Sequence, residues 1–113
     1  MVGAGKLDRR LRFEKREERD DGFGNTISMW VLQFTEAANR AWLRGGETVM
    51  AARLESRQPV IITIRNSERA RAVTADWRAV DTRDGRVYNL RENPKESDNR
   101  GYLEMLAESG VAT

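Results

Sequence analysis

Glu17 with Glu18, and Asp20 with Asp21, are the residues whose types and spacing first suggest cation binding or general acid–base work. Paired carboxylates do such chemistry only when both reach one substrate atom. Neighbours on an extended strand point to opposite faces, so neither pair converges through its spacing alone. Asp20-Asp21 also runs into Gly22-Phe23-Gly24-Asn25, a setting in which Asp bonds turn backbone. Gly22-Phe23-Gly24 has neither the strand-turn-helix frame nor the spacing of a dinucleotide-binding loop. The chain contains no His and no Cys. That excludes disulfides, thiolate nucleophiles, Ser-His-Asp triads and Cys/His zinc sites. An oxygen-ligand metal site and carboxylate catalysis stay open in principle, but no residue set favours them. No catalytic residue, metal or cofactor is assigned.

The basic residues offer a second kind of chemistry. There are 20 Lys plus Arg against 18 Asp plus Glu, and only Lys6, Lys15 and Lys95 are lysines. Arginine forks suit bidentate pairing with carboxylate or phosphate; composition bias and solvated strand faces are the simpler source of the same excess. Arg69, Arg71, Arg78, Arg83, Arg86 and Arg91 could form a stripe, with Trp77 and Tyr88 as stacking platforms for nucleic acid. Glu68, Asp76, Asp81, Asp84 and Glu92 interleave with that stripe and cancel its field. The pI near 9.4 accompanies a net charge of only +2 because no His buffers the neutral range.

The elements that must position these groups read as mainly β. A length of 113 residues with 39% apolar content fits one domain, 1–113, around one core. Leu7, Leu11 and Phe13 occupy odd positions with charge between them, the period of a half-buried strand. The Asp20-to-Asn25 turn then leads to a β-rich run over 26–34, making a hairpin. Residues 38–44 form another extended candidate, closed by Gly45-Gly46. Within 47–56, Val49, Met50, Arg53 and Leu54 recur at helical spacing, a helix too short to persist without packing. Pro59 opens Val60-Ile61-Ile62-Thr63-Ile64, a central buried strand. Residues 71–74 and 77–82 are short strand candidates, and Asp84-Gly85 turns into a strand over 86–90. For residues 102–108, propensity favours a helix, while Leu103 and Met105 also fit alternation. The sum is a small antiparallel barrel or sandwich of about six to eight short strands, with one short helix or ordered loop around 47–56. No apolar run approaches the roughly 20 residues of a membrane span and no signal-peptide core opens the chain, so a soluble intracellular protein without a membrane partner is expected.

Several short strings follow one another through most of the chain: Gly5-Lys6-Leu7-Asp8-Arg9-Arg10 up to Phe13, and the Asp20-to-Asn25 loop with Trp30 downstream. Ala41-Trp42, Gly46-Glu47, Ala51-Ala52, Val60 to Arg65, Tyr88-Asn89-Leu90 and Leu103-Glu104 continue the series. In order and spacing they resemble the head–tail joining proteins (adaptor or head-closure proteins) of tailed bacteriophages. Asn89, where the family pattern has a carboxylate, and the polar loop over 91–99 depart from it.

The resemblance implies a small β-barrel with a short helix and a strand at Leu103 to Leu106. It implies a structural, non-catalytic role in a ring under the portal, a dodecamer by symmetry matching, that joins capsid to tail and helps retain packaged DNA. Its partners would be other copies of itself, a portal or adaptor protein, a tail-terminator or stopper protein, and DNA in transient contact. Its place would be the virion neck, after assembly in the host cytoplasm. The resemblance also favours residues 44–57 as a loop towards the channel or a partner. Arg44, Glu47, Arg53, Glu55 and Arg57 would then meet neighbours or solvent, and Val49, Met50 and Leu54 a partner surface. A packed connecting helix is the alternative. In a ring, Arg9, Arg10, Arg12 and Glu14 on an edge-like first strand, with Arg65 and Glu68 after the central one, are candidates for pairing between subunits. The rival function is a small β-barrel nucleic-acid-binding module using the Arg stripe.

Overall fold

The computed structural model of the chain describes residues 7–44, 46, 50–51, 57–98 and 100–110. Its strands are β1 (Arg9–Asp20), β2 (Thr26–Trp42), β3 (Gln58–Arg65), β4 (Arg78–Asp81), β5 (Val87–Leu90), β6 (Lys95–Glu96) and β7 (Tyr102–Ser109). One short helix, α1 (Glu68–Arg71), lies between β3 and β4. All strand pairs are antiparallel. The sheet runs β3-β2-β1-β4-β5-β7-β6, and β3 also pairs with β7. That last pairing closes the sheet on itself, so the barrel is nearer the mark than the two-sheet sandwich.

The core lies inside this ring. Leu11, Phe13, Val60, Ile62, Ile64, Tyr88 and Met105 are fully enclosed. On β3, Val60, Ile62 and Ile64 point inwards between β2 and β7. β-Branched side chains at that spacing suit a strand with a neighbour on each side. Phe13 of β1 stacks on Phe34 of β2 with ring centroids 4.9 Å apart, and Trp77 tilts against Phe34 at 6.4 Å.

Three elements differ from the sequence expectation, and a fourth, β7, follows the resemblance against propensity. The extended segments at 26–34 and 38–44 are one strand, β2, which pairs with β1 along its first part and with β3 at its end. Residues 71–74 are not a strand: Ser67 caps α1, its hydroxyl accepting the Ala70 N–H at 3.2 Å, and Ala70 and Val73 are buried beneath. Val73 follows the C-cap Ala72, its N–H bonded to the Ala70 carbonyl at 3.3 Å, so the chain leaves the helix directly into the core. Residues 102–109 are strand, as the resemblance implied and against propensity, because β7 is paired by β3, β5 and β6. The two-residue strand β6 carries no sequence signal. The expected helix around 47–56 falls mostly outside the described residues; Met50 and Ala51 are helical.

β1 is not an edge strand where its charges cluster. β4 pairs with residues 11–14, while β2 pairs with β1 along its whole length. Charge at the base of β1 therefore does not guard an open edge. Past a register shift at Phe13/Glu14, β1 and β2 pair only with each other, from Lys15↔Val31 to Asp20↔Thr26. The result is a two-stranded arm about 20 Å long, at 3.3–3.4 Å per residue.

Candidate interaction surfaces

At the root of the arm, Glu14 is buried, with two arginines against its carboxylate. Arg78 Nε donates to Glu14 Oε1 at 2.6 Å, and Arg12 lies 3.4 Å from Oε2. Trp30, two strands from Arg78, is held between guanidiniums, with Arg78 at 4.5 Å and Arg16 at 4.9 Å from its ring centroid. Cross-strand neighbours share a face, so Glu14↔Arg78 and Arg16↔Trp30 assemble this cluster directly from the register.

The opposite end repeats the pattern. Trp42 lies under Arg40 at 4.9 Å and Arg86 at 5.4 Å. Arg40 also donates to the Tyr88 hydroxyl at 2.7 Å. Arg9 pairs at 3.1 Å with Asp81, whose side chain is fully enclosed, and lies 3.9 Å from Asp84. Asp84 accepts the Arg86 N–H at 2.9 Å; that bond, then the nearby positive charges of Arg86, Arg9 and Arg40, hold its carboxyl below the usual aspartate range. Beside these residues, Leu7, Asp8, Arg9, Arg10, Ala37 and Arg83 line a half-open hollow of about 170 Å³.

The tip of the arm is ordered by its acids. Asp20 Oδ1 accepts the Gly22 N–H at 2.9 Å, and Asp21 Oδ1 accepts those of Phe23 at 2.7 Å and Asn25 at 3.1 Å. Gly22 and Gly24 take φ of 84° and 86°, a region where a Cβ would be strained. The loop therefore fixes Phe23 in solvent, 88% exposed. The hydrogen bond from Phe23, ahead of that from Asn25, depresses the Asp21 pKa below 3.8. A depressed carboxylate contributes order above its unfolded value, and loses that contribution as pH falls through the folded one. Amide exchange at Phe23 and Asn25 should thus stay protected to an equal degree across about pH 5–7 and open only in stronger acid. Loosening of the loop within that neutral window would contradict this role for Asp21.

The sequence candidates divide accordingly. Arg9 and Glu14, expected at a seam between subunits, have partners within the chain, and Arg12 is shared with Glu14. Arg10, Arg65 and Glu68 are exposed on three different segments and are not brought together. In the 44–57 segment, Glu47, Val49, Arg53, Leu54 and Glu55 lie outside the described residues. Arg44 is exposed, Met50 is half-exposed with its N–H donating to Gly46 at 3.0 Å, and Arg57 pairs with Glu108 at 3.0 Å. The Leu43 N–H donates to Pro59 at 3.1 Å, so the two ends of the segment meet at the sheet.

Three of the six stripe arginines are engaged by carboxylates. Arg69 pairs with Glu36 at 2.7 Å, Arg78 with Glu14, and Arg91 with Glu108 at 2.8 Å. Trp77 and Tyr88 are buried and offer no face for base stacking. Glu17 pairs with Arg19 at 3.9 Å, and the other acids of the first pairs serve the loop or solvent. Among the described residues no three acidic side chains gather as a metal site would require, and no helix is long and apolar enough to cross a membrane. The Arg–Trp–Arg sandwiches and the arm escaped sequence reasoning. Arg16 faces Trp30 across the β1–β2 pair and Arg40 stands two residues before Trp42 on β2, but Arg78 and Arg86 come from elsewhere in the fold and are legible only from the tertiary structure.

Comparison with known proteins gives a consistent answer. A family model described as phage head completion protein matches residues 2–110. The solution structure of protein SF1141 from Shigella flexneri 2a superposes with a TM-score of 0.71 at 21% identity, covering 99% of this chain and 100% of that one. A chain from the virion of a native gene transfer agent particle superposes with a TM-score of 0.62 at 23% identity, covering 94% of this chain and 96% of that one. No curated protein matches. At such identities the two structures speak to the fold, and membership rests on the family model. Its span of residues 2–110 takes in every strand of the closed sheet, and by it the chain belongs to the phage head completion protein family.

Proposed function

We propose that this chain is a structural component of the head–tail interface of a phage or prophage. In this reading it forms a ring under the portal that joins capsid to tail and helps retain packaged DNA. The observation that carries the reading is the match to the head completion family over residues 2–110, supported by near-complete superposition on a chain of a gene transfer agent virion. The chemistry of the described residues agrees with it. Acids and arginines are spent on pairing and loop order, and they do not converge on a substrate atom. In this reading the segment over 44–57, whose flanking residues Leu43 and Pro59 are joined by a backbone hydrogen bond, serves contacts with a channel or an adjoining ring. The virion neck is the site of action, after assembly in the host cytoplasm, with portal, stopper or tail-terminator proteins as partners.

Particles produced with the gene deleted test this. Filled heads should accumulate without tails and lose DNA on storage, and supplying the chain should restore tailed particles that contain it. Normal tailed particles without the chain, or virions from which it is absent, would refute the reading. Tight DNA binding by the isolated chain at moderate salt, with a Kd of about 1 nM, would favour the nucleic-acid module instead.

A further inference from the structure

We propose that the arm of one protomer docks its tip into the Arg-lined hollow at the far end of the next protomer, so that Phe23 is the anchor of a head-to-tail contact between copies of this chain. The inference rests on the reading of the chain as a ring component and assigns the surfaces that meet.

Three features of the arm point to an occupied tip. Phe23 is 88% exposed on a loop already fixed by Asp20 and Asp21, so little ordering remains to oppose docking. Ile27 and Met29, 45% and 39% exposed, lie across from Arg19 and Glu17 on one face of the ribbon and extend the apolar surface towards the root. An isolated two-stranded ribbon is marginal in water and gains from being covered.

Charge and size select a second copy as the cover. Glu18, Asp20 and Asp21 surround the tip, whereas Arg9, Arg10 and Arg83 line the hollow with Leu7 and Ala37. Arg9 is held by Asp81, and Asp8 offsets part of the remainder, which leaves the hollow net positive through Arg10 and Arg83. Its volume of about 170 Å³ suits one aromatic ring, over which an arginine could stack. Arg10 and Asp20 are ten residues apart on one extended strand, up to roughly 33 Å, and lie towards its opposite ends, so no chain can reach its own hollow. Tip and hollow are different patches, which makes the contact heterologous and able to close a ring.

The absence of cysteine permits a clean test. Thr26→Cys, beside the tip and leaving Phe23 in place, with Thr82→Cys at the rim of the hollow, is oxidised in concentrated protein and in assembled particles. A disulfide needs Cα atoms within about 7 Å, so the pair can bridge only between copies. A ladder of many linked chains is expected, against at most dimers from Thr26→Cys alone and none beyond dimers from Thr26→Cys with Glu96→Cys. Phe23→Ala should weaken self-association by about tenfold or more. Rings present on particles but without a ladder, equal ladders from the control pair, or linkage of Cys-bearing tips to another virion protein would each overturn the contact while leaving the head–tail role intact. A ladder in free protein that never enters particles would sustain the contact and defeat that role.

Discussion

Replacing Phe13 with Ala should destabilise the fold by about 3–5 kcal/mol, the range for deleting a fully buried aromatic. For a chain of this size that is a fall in Tm of roughly 12–20 °C. The ring of Phe13 is fully enclosed and stacked on Phe34 at 4.9 Å, which in turn meets Trp77. Phe13 also pairs across strands with Phe34 and Ala79, so β2 and β4 both pack on the space it fills. The register shift that releases the arm begins at the next residue, and loss of the ring should therefore loosen the arm as well as the core. Phe13→Leu, which keeps most of the volume, should cost about 1 kcal/mol. Thermal melts followed by circular dichroism decide the matter: a fall of less than about 4 °C for Phe13→Ala would mean that the stack is not central to stability.

Arg78→Ala should cost about 3 kcal/mol, by a different mechanism. It removes the closer of two cations from Glu14, whose side chain is only 8% exposed, and takes one of two guanidiniums from Trp30. A buried carboxylate left with Arg12 at 3.4 Å is poorly compensated. Replacing both partners by apolar side chains of similar size, Glu14→Met with Arg78→Met, should restore stability to within about 1 kcal/mol, since no charge is then stranded. Hydrogen exchange adds a spatial signature, with residues 15–19 and 26–31 of the arm opening well before the central strand. A double variant as damaged as Arg78→Ala would show that the charges themselves, rather than the stranded acid, matter.

Local signals anticipated much of the sheet. The odd-numbered apolar residues of β1, the Asp-Gly-Phe-Gly-Asn loop, the run from Val60 to Ile64 and Asp84-Gly85 all lie where alternation and turn chemistry place them. Gly85, at φ 75°, turns β4 into β5. These features depend on residues close in sequence, so neighbours alone specify them. The misses occur where a partner far along the chain outweighs propensity. β7 has the composition of a helix and becomes a strand because strands on both flanks satisfy its backbone. Residues 71–74 read as extended, yet they close and follow a turn of helix, with Ala70 and Val73 buried in the core.

By itself, then, the amino-acid sequence determined that the chain is mainly β, that it lacks thiol and imidazole chemistry, and that its order of short strings matches a virion structural family. Tertiary structure alone decided which charges are free. Arg9, Glu14, Arg69 and Arg78 look solvated in sequence and are engaged within the fold, since their partners arrive from strands and loops more than 30 positions away. It also decided that β1 and β2 outrun their neighbours and form an arm. A strand's length can be read from alternation, but whether another strand lies beside it is a property of the closed ring.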